Sequence, residues 1–227
     1  MNMNELFVFD ADQALAAGGP PVVAGADEAG RGALAGPLVA AAVCFDYSGW
    51  RAPDYAALAD LNDSKQHKAE RREELFRQIV PRAVRIAVVL RSSLSIDERG
   101  LHRCNLDALA AALASLTPPP AVAMVDGFAL KDCCVPHQAV VRGDCRSAAV
   151  AAASIVAKVT RDRLMCRLHA RYPRWGFDEH VGYATPNHHE AIIAFGLCDL
   201  HRRSFNSVAY QQLDIGRQPR AAEVAEQ

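Results

Sequence analysis

The chain has 227 residues, of which 51% are hydrophobic and 22% are charged, a balance that supports one large domain or one domain with an appendage. Disorder of the whole chain is excluded, and so is a membrane span, because charged residues, asparagine or glycine interrupt every apolar run before it reaches roughly 18 residues. The N-terminus is acidic where a secretory signal would be basic, so we expect a soluble cytoplasmic protein without membrane contacts.

Short apolar runs rich in β-branched residues alternate with longer runs of helical periodicity. They predict strands at residues 22–27, 37–45, 84–90, 121–126 and 139–142, and helices at residues 65–80, 95–116, 147–170 and 186–195. Ser147 is placed to cap the third helix and Gly196 to end the fourth. We expect residues 1 to about 20 to form a loosely held lead-in and residues 209–227 a flexible tail. The order indicates a sheet domain followed by a smaller helical one.

The formal net charge of −1 conceals a basic stretch between residues 158 and 174, where Asp162 is the only acid. Its basic residues are Lys158, Arg161, Arg163, Arg167, Arg171 and Arg174. Taken alone, the stretch is typical of a solvated helix face, although nucleic acid stays open as a partner. The seven cysteines follow no regular framework and indicate reduced thiols.

Four acidic residues stand where predicted strands end: Asp27, Glu28, Asp126 and Asp144. Side chains at strand ends of an open α/β sheet face a shared crevice, so these carboxylates are expected to converge although they are far apart in sequence. Oxygen ligands suit Mg²⁺ or Mn²⁺, and two such ions about 4 Å apart stabilise both the attacking and the leaving oxygen of a phosphodiester. The alternative is that each acid only forms a turn or caps a helix, and the residues alone leave both interpretations open.

Residues 25–37 form a glycine-rich turn after the first strand, with the sequence Gly-Ala-Asp-Glu-Ala-Gly-Arg-Gly-Ala-Leu-Ala-Gly-Pro. Its glycines allow main-chain amides to approach a ligand closely. A nucleotide-binding loop is the competing interpretation. The spacing matches neither G-x-G-x-x-G nor a Walker A motif, however, and a strand rather than a helix follows.

The run Asp-Glu-Ala-Gly-Arg-Gly at residues 27–32 resembles the signature of the ribonuclease HII family. Further segments resemble that family in the same order: Leu-Asn-Asp-Ser-Lys at 61–65, Val-Asp-Gly at 125–127, Gly-Asp at 143–144, residues 151–162, Gly-Tyr-Ala-Thr at 182–185 and His-Arg-Arg-Ser-Phe at 201–205. The resemblance covers about residues 22–206, and the combination is highly specific although each short piece is not.

The resemblance implies an α/β fold, namely a ribonuclease H-like mixed sheet flanked by helices, with a small C-terminal helical domain. It implies a catalytic domain at residues 20–172 and a domain at residues 173–208 that closes over the substrate. The family's metal-binding acids match the four acids that strand-end reasoning selects: Asp27, Glu28, Asp126 and Asp144.

The resemblance also implies contacts with the substrate. The main chain of Gly30, Arg31 and Gly32 would contact the 2′-hydroxyls that distinguish RNA from DNA. Tyr183 matches a tyrosine that packs on the sugar at the RNA-to-DNA junction, with a core tyrosine as the alternative. Three basic residues resemble positions near the nucleic-acid path, where phosphate contact competes with simple surface charge: Lys65, Arg146 and Lys158.

The implied activity is that of a monomeric endonuclease that uses Mn²⁺ or Mg²⁺ to cut the RNA strand of RNA–DNA hybrids and to cut 5′ of ribonucleotides in duplex DNA. The alternatives are a nuclease of the same fold that acts on DNA structures, and an inactive module that only binds hybrids. Three positions depart from the family pattern: Ala33 replaces a proline, and Arg142 and Val181 replace frequent lysines. They put substrate affinity in doubt, not the metal site.

Overall fold

The computed structural model describes residues 5–62, 64–131 and 133–217. Its helices are α1 (Glu5–Ala16), α2 (Ala52–Ala57), α3 (Ala69–Ile79), α4 (Ser93–Arg99), α5 (Leu101–Ala114), α6 (Ala148–His169), α7 (Phe177–His180), α8 (Pro186–Phe195) and α9 (Val208–Arg217). Its strands are β1 (Val22–Ala29), β2 (Leu38–Asp46), β3 (Ala83–Arg91), β4 (Val122–Asp126) and β5 (Gln138–Val140). Short 3-10 helices lie at Tyr47–Gly49, Ser64–Gln66, Gly143–Cys145 and Pro173–Trp175.

The strands form one mixed sheet in the order β3-β2-β1-β4-β5. β1 is antiparallel to β2 and parallel to β4, and β4 is parallel to β5. The antiparallel pair of β2 and β3 completes the other half of the sheet. Because β1, β4 and β5 run in the same direction, their C-terminal ends lie at one edge of the sheet.

Helices cover both faces of the central strands. α6 packs on one face of β1 and β2, and α5 packs on the other. Residues 148–157 of α6 are all buried, and their small side chains let the helix lie close to the sheet. Ser147 caps α6 as predicted, since its hydroxyl accepts a hydrogen bond from the Val150 amide at 3.2 Å. The start of α6 is therefore fixed close to the sheet edge.

The C-terminal helices pack against the end of α6 and against the turn that follows β1. Phe177 and Met165 belong to one small apolar cluster, and Leu34 joins Ile192 and Ala209 in another. Within the described ranges, no helix is long and apolar enough to cross a membrane.

Two helix predictions need correction. The helix predicted over residues 95–116 is two helices, α4 and α5, separated by Gly100 at φ 83°. This left-handed conformation favours glycine and is invisible to a pattern of apolar residues. The helix predicted from residue 65 begins only at Ala69, after a 3-10 turn.

The prediction of a loose lead-in at residues 1–20 is wrong for the described part of that segment. α1 is docked on the sheet domain and buries Leu6, Phe7, Asp10 and Ala14, which share one helix face. The predicted tail begins inside α9, where Ala209 is buried, and residues 218–227 lie outside the described residues. The division into domains at residues 20–172 and 173–208 stays a prediction.

Candidate active site

The four acidic residues all lie at the edge where the parallel strands end. Asp27 and Glu28 are near the end of β1, Asp126 is the last residue of β4, and Asp144 lies in the 3-10 helix between β5 and α6. The register pairs Ala26 with Val125, so Asp27 and Asp126 are the next residues along neighbouring strands. The structure and the strand-end argument therefore place the four acids at the same edge of the sheet.

The carboxylates do not all point to the same face of the sheet. Met124, two residues before Asp126, packs in the cluster beside α6, whereas Ala26, two residues before Glu28, packs in the cluster beside α5. Because strand side chains alternate, Asp27 and Asp126 face α6 and Glu28 faces α5. The sequence reasoning did not specify this division.

One hydrogen bond connects the end of β4 to the segment that carries Asp144. The Gly143 amide donates to Oδ1 of Asp126 at 2.7 Å. A charged acceptor makes such a bond stronger than one between neutral groups. Asp126 therefore fixes the residue next to Asp144 as well as supplying a carboxylate of its own.

Burial and mutual repulsion perturb two of these groups. Burial raises the pKa of Asp27 well above its ordinary value, and the charges of Glu28 and Asp126 add to that rise. A hydrogen bond from Ser154 on α6 opposes it. Burial also raises the pKa of Glu28, against the opposing charge of Arg31, whose Nη1 lies 3.4 Å from Oε1 of Glu28.

The donor set is chemically suited to a hard divalent cation. Within the described part of the chain, however, no three carboxylate, imidazole or thiol groups lie close enough to hold one ion. The side chains accept from donors of the protein: Asp27 from the Glu28 amide, Glu28 from Arg31, and Asp126 from the Gly143 amide. A dication would favour the ionised forms and relieve the repulsion around Asp27, so the residue types fit Mg²⁺ or Mn²⁺.

The turn after β1 is held by two buried arginines from the C-terminal half of the chain. Arg202 donates to the carbonyls of Arg31 at 3.0 Å and Gly36 at 2.9 and 3.1 Å. Arg161 donates to the carbonyls of Ala35 at 2.9 Å and Pro37 at 3.0 Å. Each guanidinium supplies hydrogen bonds that these carbonyls would otherwise lack. The turn is therefore a rigid part of the molecule.

In the Gly-Arg-Gly part of this turn, the first glycine is packed closely against Arg161 and the last glycine faces solvent. Gly30 has φ 94°, and a Cβ there would lie 2.1 Å from Nε of Arg161. Gly32 is exposed, and a Cβ there would meet no atom within 4 Å. Ala33 stands where a proline was expected, and its amide donates to the Gly30 carbonyl at 3.3 Å, a bond that proline cannot make.

Comparison with known proteins agrees with this arrangement. The family model "Ribonuclease HII" matches residues 24–208. The chain is 47% identical over 197 residues to the ribonuclease HII of Geobacillus kaustophilus, covering 87% of this chain and 73% of that one. It is 52% identical over 186 residues to the ribonuclease HII of Rhizobium johnstonii, covering 81% and 77%. The chain belongs to the ribonuclease HII family.

Solved structures support the fold of this family member. The ribonuclease H2 of Pyrococcus horikoshii superposes with a TM-score of 0.71 at 29% identity, over 87% of this chain and all of that one. Bst-RNase HIII, solved in complex with Mn²⁺, has a TM-score of 0.64 at 21% identity over 87% of this chain and 71% of that one, and shows the fold alone. The mixed sheet flanked by helices is thus the ribonuclease H-like fold that the sequence predicts, and the chain is a metal-dependent ribonuclease.

Tyr183 lies between two cations rather than in the apolar core. Its half-buried ring is 4.8 Å from Nζ of Lys158 and 5.1 Å from Cζ of Arg161. Nζ of Lys158 also donates to Asp162 at 2.8 Å. α6 therefore orients the tyrosine that the ribonuclease HII resemblance singles out.

The remaining basic residues differ in their exposure. Lys65 and Arg146 are exposed, and the Arg146 guanidinium carbon lies 5.1 Å from the ring centroid of Phe9. Arg161 is fully buried, so it cannot contact a phosphate from the position that the basic stretch assigned to it. Its partners are main-chain carbonyls, and the solvated-face interpretation fails for this residue.

Sequence reasoning missed several residues that support the acids and the turn. Ser154 contacts Asp27, Asn105 on α5 lies beside Glu28, and Arg202 holds the turn. Ser154 and Asn105 are polar residues within largely apolar stretches of their helices, and Arg202 lies in the segment at residues 201–205 that resembles the family. Ser154 is seven residues after Ser147 and on the same helix face, a spacing that marked it as facing the sheet.

Proposed function

We propose that the chain hydrolyses the RNA strand of RNA–DNA hybrids and cuts 5′ of single ribonucleotides in duplex DNA, leaving 5′-phosphate and 3′-hydroxyl ends. The carrying observation is that four carboxylates of a ribonuclease HII chain lie at one sheet edge, directly beside the rigid Gly-Arg-Gly turn. A nuclease needs these two parts next to each other, because one acts on the phosphodiester and the other reads the sugar.

The proposal assigns two divalent ions to Asp27, Glu28, Asp126 and Asp144. Bound Mg²⁺ or Mn²⁺ supplies a more acidic water as nucleophile and offsets negative charge on the phosphodiester. Asp27 and Asp126 face the same side of the sheet, and Gly143 keeps Asp126 and the Asp144 segment together. Glu28 lies on the other side of β1, where its carboxylate pairs with Arg31, so Glu28 would have to leave this ion pair to serve as a ligand.

The proposed substrate contacts lie around this edge. The main chain of Gly30, Arg31 and Gly32 reads 2′-hydroxyls, and its rigidity is supported by the bonds from Arg202. Tyr183 packs on the deoxyribose that follows the cut. Phosphates are bound by Lys65, Arg146 and Lys158, of which the first two are exposed and the third lies against the Tyr183 ring.

We further propose that the protein acts as a monomer in the cytoplasm. One chain carries all four carboxylates, the turn and Tyr183, so no residue of a second copy is needed to complete the site. Gel filtration with light scattering at assay concentrations tests this, and a dimer as the active species would refute it.

The experiment that tests the function uses three labelled duplexes, which contain one ribonucleotide, a run of ribonucleotides, or none, each with Mg²⁺ and with Mn²⁺. We expect cleavage of the first two and not of the third. Asp126→Asn is the matched control, because its Oδ1 still accepts from the Gly143 amide while the charge is lost. That variant is expected to lose at least about a hundredfold in rate and to keep its fold and hybrid binding.

The same panel distinguishes the alternatives. Cleavage of the all-DNA duplex by the wild type and not by Asp126→Asn would indicate a DNA nuclease of the same fold. Binding of hybrids with no cleavage under either metal would indicate an inactive module. Wild-type turnover by Asp126→Asn would refute the assignment of the metal site.

A further inference from the structure

α1 lies outside residues 24–208, the part that matches the family, yet it is packed tightly on the sheet domain. Phe7 makes edge contacts with Tyr47 and Tyr55, at centroid distances of 6.1 and 5.3 Å, and a tilted contact with Trp50 at 5.8 Å. Such aromatic contacts fix both the position and the rotation of a short helix. The residues that α1 presents to its neighbours are therefore held in place.

One of those residues is Asp10, a fully buried carboxylate at the start of α6. Its Oδ2 accepts from the Ala149 amide at 3.0 Å and from the Tyr47 hydroxyl at 2.6 Å. The first-turn amides of a helix lack partners within the helix, and the helix dipole favours a negative charge there. Asp10 of α1 thus caps α6 from a separate helix. Ser147, the residue just before α6, makes a second cap.

The capped turn follows the candidate active site directly. The Ser147 amide donates to the Gly143 carbonyl at 2.8 Å, so the 3-10 helix with Asp144 continues into α6 without a flexible link. A shift in the first turn of α6 would move Asp144 relative to Asp126. Asp10 restrains that turn through its bond with the Ala149 amide.

The neighbouring residue Phe9 faces the other functional side chain of this segment. The Arg146 guanidinium carbon lies 5.1 Å from the Phe9 ring centroid. Arg146 is otherwise exposed, and a long exposed side chain loses rotamer freedom when it binds a phosphate. Contact with a ring held by α1 removes part of that freedom beforehand.

We propose that α1 is a positioning element of the active site, in which Asp10 holds the first turn of α6, and hence Asp144, while Phe9 holds Arg146 for a substrate phosphate. The inference rests on the proposed function for the roles of Asp144 and Arg146. It makes Asp10 and Phe9 positioning residues that act through their neighbours.

Asp10→Asn tests the first half, with Tyr47→Phe as matched control, because Tyr47→Phe removes the other hydrogen bond of the same carboxylate and leaves α6 untouched. Burial raises the pKa of Asp10 to about 6, so at about pH 8 the group is ionised and the amide removes a charge. We expect Asp10→Asn to lower kcat about threefold to tenfold with little change in KM, and to weaken Mn²⁺ binding in calorimetry by about threefold or more. Tyr47→Phe should stay within about twofold of wild type in both.

Phe9→Leu tests the second half, with Phe9→Tyr as the conservative variant that keeps the ring. We expect Phe9→Leu to raise KM and the hybrid dissociation constant about threefold at unchanged kcat, and Phe9→Tyr to restore both. Melting curves confirm that each variant is folded at the assay temperature. If Asp10→Asn is not folded there, Asp10→Ser takes its place.

The outcomes separate this inference from the proposed function. Unchanged kcat and Mn²⁺ affinity in Asp10→Asn would overturn the role of Asp10, and equal hybrid affinity in Phe9→Leu and Phe9→Tyr would overturn that of Phe9. If the wild type cuts no hybrid, the proposed function fails by itself. Mn²⁺ calorimetry and hybrid binding measured without cleavage still decide whether α1 positions these two residues.

Discussion

The ring of Tyr183 contacts two cations that belong to α6, the helix that follows the Asp144 segment. Lys158 and Arg161 lie about one helical turn apart, so a lysine ammonium and a buried guanidinium both reach the same aromatic ring. The ring is only half-buried, so part of it is accessible from solvent.

Tyr183→Ala is expected to slow cleavage at a single embedded ribonucleotide by about tenfold or more, since a stacking contact is worth about 1–3 kcal/mol. Tyr183→Phe keeps the ring between Lys158 and Arg161 and should retain most activity. The measurement is the rate on an embedded ribonucleotide relative to a continuous hybrid, together with the melting temperature. Equal losses on both substrates with a lowered melting temperature would indicate a purely structural tyrosine.

At this scale the sequence predicts that the acids lie at one edge of the sheet, but not how each is held. Parallel strand ends share an edge, and that rule selects all four acids, Asp27, Glu28, Asp126 and Asp144. The bond from Gly143 to Asp126 and the separation of Glu28 onto the α5 side depend on tertiary packing and strand pairing. Neither a motif nor a spacing records these contacts.

The elements that hold the turn are connected to it through two arginines as well as through apolar contacts. Arg161 and Arg202 are both fully buried, and burial lowers the pKa of Arg202 to about 9, with the charge of Arg161 adding to the effect. Two buried cations are stable there because carbonyl oxygens of the turn accept hydrogen bonds from both guanidinium groups. The turn, α6 and the segment before α9 thus form one unit.

Arg202→Ala should lower the free energy of unfolding by about 2–4 kcal/mol, because it leaves the buried carbonyls of Arg31 and Gly36 without donors. For a chain of this size the melting temperature falls by about 5–15 °C. Arg203→Ala is the matched control, since the next residue is exposed, and it should change the melting temperature by no more than about 2 °C. Equal melting of the two variants in thermal unfolding would contradict a structural role for Arg202.

Periodicity predicts most elements correctly, and its failures have physical causes. β1, β3 and α6 follow from apolar runs, whereas Gly100 divides α4 from α5 through a positive φ that no hydrophobic pattern encodes. The sequence predicts a loose lead-in in place of α1 because a short amphipathic helix is stable only when a docking surface exists, and such a surface is not visible in a local pattern. Phe7 finds that surface among aromatic residues of the sheet domain.

At the scale of the whole molecule, a chain of neutral histidines links α8 to the segments before and after it. The Cys198 amide donates to Nδ1 of His201 at 3.0 Å, which leaves the proton on Nε2 of His201. That nitrogen lies 3.2 Å from Nε2 of His188, whose Nδ1 then donates to the Tyr183 carbonyl at 2.9 Å. One nitrogen of each ring accepts a hydrogen bond, so both histidines must be uncharged. The last hydrogen bond of the chain is made to the loop that carries Tyr183.

Burial lowers the pKa of His188 to about 3 and that of His201 to about 4, from an ordinary value of 6.5. Both folded-state pKa values are depressed, so the stabilisation is complete above about pH 6.5 and is lost as pH falls towards about 4. In that window the unfolded chain binds more protons than the native protein does. Each histidine lowers the free energy of unfolding by about 1.4 kcal/mol per pH unit.

The buried carboxylates change stability in the opposite direction, since the raised pKa values of Asp10, Asp27 and Glu28 make the native protein bind protons more readily on acidification. The prediction therefore concerns a difference between variants, in which those groups cancel. His188→Gln is expected to be less stable than wild type at about pH 7.5, because the ring no longer joins Tyr183 to His201, and the deficit should shrink by about 1.4 kcal/mol per unit as pH falls from about 6.5 to 4.5. His102→Gln, at an exposed position, should track the wild type throughout. Urea unfolding at several pH values measures all three proteins, and a His188→Gln deficit that stays constant or grows on acidification would show that the histidine chain is not held neutral by the fold.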